Sequence, residues 1–152
     1  MCGAVLTRIP IAYIDVRFFV HATEDSEKVV KAIKHILPPQ YADKMVFKRD
    51  NLRGHYGNPI VLFETRMKGK EIIKLFIEKL SSNLGRFDKE TLLKEVDLHV
   101  GRGDLYIRLD KQSAFQGEFR LCKADPVRVR IRFRKNKLED IVKICRELGL
   151  LP

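Results

Sequence analysis

Residues 11–22, IAYIDVRFFVHA, alternate without a break between two kinds of side chain. Successive residues of a β-strand point to opposite faces. Ala12, Ile14, Val16, Phe18 and Val20 are therefore expected to face a core, with Tyr13, Asp15, Arg17, Phe19 and His21 on the other side. Near the far end of the chain, VRVRIRFR (127–134) repeats the pattern, with Val127, Val129, Ile131 and Phe133 pointing one way and Arg128, Arg130, Arg132 and Arg134 the other. Strands of this kind belong to a sheet packed on one face only. Antiparallel sheets built from hairpins are the ones that leave a face uncovered.

The segments between these strands fit the same scheme. Ala22-Thr23-Glu24-Asp25-Ser26 gathers N-cap residues and first-turn acids, predicting a helix to about Leu37 that Pro38-Pro39 ends. Residues 44–50 and 60–67 read as a hairpin around a glycine-rich loop, and Gly69 precedes an apolar-striped helix over 70–84. Asp88 is a candidate N-cap for a short helix to about Val96. Strands follow at 104–110, 115–123 (with Gly117 a candidate bulge) and 127–134, then a helix over about 137–148 with Leu138, Ile141, Val142, Cys145 and Leu148 inward. The predicted fold is α+β: one mostly antiparallel sheet packed on one face by helices, in the order β-α-β-β-α-α-β-β-β-α. Residues 1–10 form an N-terminal segment and 11–152 a single domain, with no internal repeat or linker.

Composition narrows the function. The chain has 152 residues, 45% of them hydrophobic, enough for one core and too apolar for wholesale disorder. Thirty Lys+Arg against twenty Asp+Glu leave +10, a surplus that steers polyanions in without specifying which. With charged residues at 33% and Asn plus Gln numbering seven, the balance is that of heat-adapted, thermophile proteins. Cys2, Cys122 and Cys145 have neither metal-ligand spacing nor an even count, which suits an intracellular protein. Arg8, Asp15 and Arg17 interrupt the apolar start, so neither a signal peptide nor a membrane span is expected and the chain is assigned to the cytoplasm.

Three features carry binding chemistry. Same-face residues along 127–134 repeat every 6.6–6.8 Å or so, close to the phosphate repeat of an extended nucleic-acid strand, and arginine offers a planar fork for phosphate. An ordinary solvated face or an edge made repulsive to pairing would give the same alternation. The loop Arg53-Gly54-His55-Tyr56-Gly57-Asn58-Pro59 combines close backbone approach, two flat rings and base-edge hydrogen-bonding groups, with Lys48 and Arg49 just before it. A tight turn with incidental side chains is the competing reading. Arg17, Phe19 and His21, joined by Tyr106 and Arg108, would add an aromatic-basic platform, although Phe19 would equally suit cover by a loop or a second subunit in a homodimer.

Catalytic signals are few. His21, His35, His55 and His99 show no zinc-type spacing, and no Walker A, GxSxG or GxGxxG pattern occurs. Asp15, Glu64, Asp97 and Asp104 are the acids that a metal-dependent nuclease would need to converge. Neither a cofactor nor a resident metal is expected.

His21-Ala-Thr-Glu-Asp-Ser-Glu-Lys-Val, followed by Gly54-His55-Tyr56-Gly57-Asn58-Pro59-Ile60, resembles a small archaeal RNA-binding family described as exosome-associated. The resemblance runs from about residue 11 to at least 145. It implies a fold like ribosomal protein L5 and a role in RNA binding, and carries no catalytic residues over. The expectation is a non-catalytic RNA-binding protein accessory to RNA processing or degradation, or to the ribosome. RNA would be held by Arg128, Arg130, Arg132 and Arg134, with Arg17, Lys48, Arg49, Arg53, His55, Tyr56 and Asn58. An adaptor docking on an RNA-processing complex such as the exosome is the second reading, and a nuclease the third.

Overall fold

The computed structural model describes residues 10–54 and 56–152. Six strands form one antiparallel sheet in the order β2-β3-β1-β6-β5-β4: β1 Ile11–His21, β2 Lys48–Arg53, β3 Pro59–Met67, β4 Val100–Gly101, β5 Asp104–Leu109 and β6 Val127–Phe133. The helices are α1 Ser26–Ile33, α2 Lys70–Asn83, α3 Arg86–Lys94, α4 Val96–His99, α5 Lys111–Phe115 and α6 Leu138–Glu147, with two 3-10 turns after α1. The two sequences that decide the fold become the two central strands. β1 pairs with β6 through Val16↔Val129 and Arg17↔Arg128, so their apolar residues share one face and their arginines the other.

That apolar face is the core side. Ile14, Val16, Phe18, Val129, Ile131 and Ile107 are at most 1% exposed. They meet Val29 and Ile33 of α1, Ile73, Phe76, Ile77 and Leu80 of α2, and Ile141 and Cys145 of α6 in one cluster. Phe18 stacks on Phe63 with ring centroids 5.6 Å apart. Burial pushes the Cys145 thiol up to about 12, so it serves as a small apolar group. Asp25 caps α1, accepting from the N–H groups of Glu27 and Lys28, the kind of cap worth about 1 kcal/mol.

Several expected details differ. The pairing register slips between Ile11 and Tyr13, leaving Ala12 as the extra residue of a bulge and sending Ile11 into the core at 3% exposure. The predicted strand at 115–123 is not one. Asp110 accepts from both the N–H and the hydroxyl of Ser113, and this cap starts α5. Gly117, at φ +76, ends the turn after α5 instead of forming a bulge. Only Leu121 of that segment bridges the sheet, opposite Leu109. Gly85, not Asp88, occupies the N-cap of α3, because the Asp88 carboxylate instead accepts from the Leu121 N–H at 3.1 Å. Leu138 lies 41% exposed at the start of α6. Arg102 and Gly103 form the two-residue loop between β4 and β5, both at positive φ, as a type I′ hairpin turn requires.

Candidate nucleic-acid interface

The face opposite the core is a polar surface built from five strands. Reading the register across it, Lys48, Glu64, Arg17, Arg128 and Arg108 form one cross-strand row. The next row contains Arg66, Asp15, Arg130 and Tyr106, and beyond it lie Tyr13, Arg132 and Asp104. Toward the opposite end come Asp50, Leu62 and Phe19, then Leu52, Ile60 and His21.

The arginines of this face are unequal. Arg66 grips Asp15 with two hydrogen bonds of 2.7 and 3.0 Å and lies 3.8 Å from the Tyr13 ring centroid. The Asp104 carboxylate sits 3.1 Å from both Arg130 and Arg132. Although Asp15 and Asp104 lie on the uncovered face, they are only 2% and 4% exposed, beneath these guanidinium groups. Hydrogen bonding to Asp104 raises the Arg130 pKa and hydrogen bonding to Asp15 raises that of Arg66, so both stay cationic.

One row away the ion pairs stop. Arg17 and Arg108 form no ion pair among the described residues, and Arg128 stacks over the Tyr106 ring at 4.5 Å without a carboxylate partner. Like charges placed opposite one another across strands destabilise a sheet. Three neighbouring guanidiniums with no acid between them therefore form a surface that a bound polyanion would relieve. Glu64, between Lys48 and Arg17 in the register, is the acid of this row.

The remaining predicted residues are spread more widely. Arg134 follows the last residue of β6, exposed, with its N–H donating to the Pro10 carbonyl at 2.9 Å. It does not extend the strand's series. Lys48 lies on the open face, but Arg49 and Arg53 alternate to the other side, where Arg49 sits 5.8 Å over the Phe63 ring. Arg53 donates to the Gly57 carbonyl at 3.2 Å. The loop is a tight, self-bonded hairpin turn: Gly54 N–H donates to Asn58 O and Gly57 N–H to Gly54 O. A Cβ on Gly54 would meet Asn58 Oδ1 at 2.8 Å and Ile60 Cδ1 at 2.9 Å, so a larger residue here would have to push these side chains aside. Tyr56 is 92% exposed, and His55 lies outside the described residues. Ile60 is four residues along β3 from Glu64, so the loop lies on the order of 13 Å beyond the arginine row.

A cluster missed in the sequence closes the end of β1. His21, Glu24 and Asp125 each offer a ligand atom, all within 4.8 Å of one another, as a metal site would. The buried Lys111 ammonium already sits among them, donating to Phe19 O at 2.7 Å, Glu24 at 3.0 Å and Asp125 at 3.2 Å. A metal there would have to displace Lys111. The signal was present as the Asp110-to-Ser113 cap, which places Lys111 in the first turn of a helix.

No described helix is long and apolar enough to cross a membrane. Comparison with known proteins gives a consistent picture. The chain is 34% identical over 139 residues to the RNA-binding protein PAB1135 of Pyrococcus abyssi, covering 88% of this chain and 90% of that one. A solved protein from Archaeoglobus fulgidus superposes with a TM-score of 0.78 at 32% identity, over 91% of this chain and 99% of its own. One from Methanothermobacter thermautotrophicus gives 0.71 at 27% identity, over 88% and 97%. Residues 13–133, which include every strand of the open face but the first two residues of β1, match the family described as RNA binding. On these grounds the chain belongs to this archaeal RNA-binding family.

Proposed function

We propose that the chain binds RNA without acting on it chemically, holding phosphates along the cross-strand row Arg17, Arg128 and Arg108, with Lys48 at the row's far end. The observation that carries this reading is a run of unpaired arginines on the sheet face that helices leave uncovered. Phosphate contacts dominate affinity in such interfaces and make it fall with salt. The row runs across the strands, not along β6 as alternation alone suggested. Arg130 and Arg132 contribute more weakly, since Asp104 already offsets them, and Arg49, Arg53, Tyr56 and Asn58 would serve only RNA long enough to reach the hairpin end.

Two of the four acids considered for a nuclease, Asp15 and Asp104, are held by arginines, which favours a non-catalytic role. Within the cytosol, the protein would act as an accessory to RNA processing or degradation, with the exosome as the implied partner. The docking reading draws support from the apolar end of the open face, where Phe19 is 36% and Leu52 44% exposed. A protein partner or a second copy would cover these residues.

The test is fluorescence anisotropy of labelled single-stranded RNA, duplex RNA and DNA over a salt series. Tight binding that prefers RNA and weakens steeply with salt is expected. An absence of binding at low salt would overturn the reading in favour of a protein-docking surface.

A further inference from the structure

Arg108 ends the arginine row and also forms a wall of a separate cavity of about 530 Å³. The cavity opens at the outer edge of β5, between α3–α4 and the segment around Leu121 that bridges Leu109. Its volume lies within the range of small-ligand sites, roughly 300–1,000 Å³. Phe87 and Leu98 line it, 79% and 76% exposed.

Polar groups converge on the same space. The Glu95 side chain is a third exposed on the cavity wall, whereas both ring nitrogens of its neighbour His99 are buried. Glu95 Oε1 lies 3.5 Å from His99 Nε2 without hydrogen-bond geometry. Asp88 is already taken up by the Leu121 N–H. At the mouth, Lys123 is exposed and Arg108 has no ion pair among the described residues. An apolar ring-sized surface and a carboxylate, reached from a line of guanidiniums, match the parts of a nucleotide in order.

We infer that this cavity receives a base of the single-stranded RNA whose phosphates lie on the Arg17-Arg128-Arg108 row. The strand crosses the sheet toward β5, and at Arg108 one nucleotide turns its base over the sheet edge, onto Phe87 and against Leu98. The Glu95 carboxylate accepts from an N–H of its hydrogen-bonding edge, and Lys123 holds the next phosphate. Unstacked bases on aromatic side chains are the usual currency of single-strand recognition. This assignment rests on the phosphate row proposed above and makes it selective for single strands.

The test compares a short oligouridylate with an abasic ribose-phosphate strand of the same length, using wild type, Phe87→Ala and Leu98→Ala. Both residues are exposed, so neither substitution threatens the core. Wild type is expected to bind the base-bearing strand about tenfold more tightly, within the reach of one base–aromatic stack. The variants should lose that preference while keeping wild-type affinity and salt slope on the abasic strand. Variants that retain the preference, or a wild type that binds both strands equally, would overturn the base site and leave the phosphate row standing. A wild type that binds neither strand would overturn the row, and the base site with it.

Discussion

Arg128 and Arg130 are two residues apart on the same strand and the same face, yet they occupy opposite surroundings. Arg130 and its neighbour Arg132 share the buried Asp104 carboxylate, whereas Arg128 has Arg17 on one side and Arg108 on the other. Around the first pair, the three guanidiniums of Arg66, Arg130 and Arg132 face the two carboxylates of Asp15 and Asp104. Around Arg128 no carboxylate forms an ion pair among the described residues, although Glu64 lies beyond Arg17 in the register. Alternation along a strand thus fixes which way a side chain points, while the charge it presents is decided by the strands beside it.

The comparison yields predictions of decreasing size. Replacing Arg17 and Arg128 together by alanine should weaken RNA binding by about tenfold or more, since a charge-assisted hydrogen bond contributes about 1.5–3 kcal/mol. Titration by anisotropy checks this, and an unchanged Kd would remove the row from the interface. Arg66→Ala should weaken RNA binding only about two- to threefold, through the lost positive charge, but lower stability by about 1–3 kcal/mol, because the nearly buried Asp15 loses both its hydrogen bonds. Urea denaturation would measure that loss.

Asp104→Asn is the sharper probe, since it converts the neutralised region toward the unneutralised one. It should tighten RNA binding about two- to threefold through the added net positive charge, at some expense of stability. Weaker binding would mean that the Asp104 cluster positions the site and does not merely compete with it.

The smallest effect concerns pH. Burial alone would raise the Glu24 carboxyl, but hydrogen bonds from the His21 N–H and the Lys111 ammonium outweigh it and hold it below its usual 4.5. The Ser113 hydroxyl and N–H hold Asp110 below its usual 3.8. Carboxylates depressed on folding add stability that is fully present above these values and is lost as pH falls through the lower folded ones. Thermal melts should therefore show stability declining below about pH 4.5, and Lys111→Met should shrink the Glu24 part of that decline.

The sheet was legible because its two central strands carry alternation that a period of two assigns to one face or the other, broken only by the bulge at Ala12. The candidate interface was legible in part. Its face could be read from Arg17, Arg128 and Tyr106, but the row's direction depends on register, and register is set by long-range pairing such as Arg17↔Arg128. Asp104 is far from Arg130 and Arg132 in sequence, so their neutralisation had no local signal. Lys111 was hidden differently. The sequence reads as strand through Asp110 and again over 115–123, which passes over the helix that Asp110 caps and that carries Lys111 to the end of β1.

The most direct test of the central claim is the slope of log Kd against log salt for wild type, Arg17→Ala/Arg128→Ala and Arg130→Ala/Arg132→Ala on one single-stranded RNA. Each lost phosphate contact should reduce the slope by about 0.7. The account predicts a reduction near 1.4 for the first variant, two contacts at that value, and less than half as much for the second. Equal reductions, or a larger one for Arg130→Ala/Arg132→Ala, would contradict it.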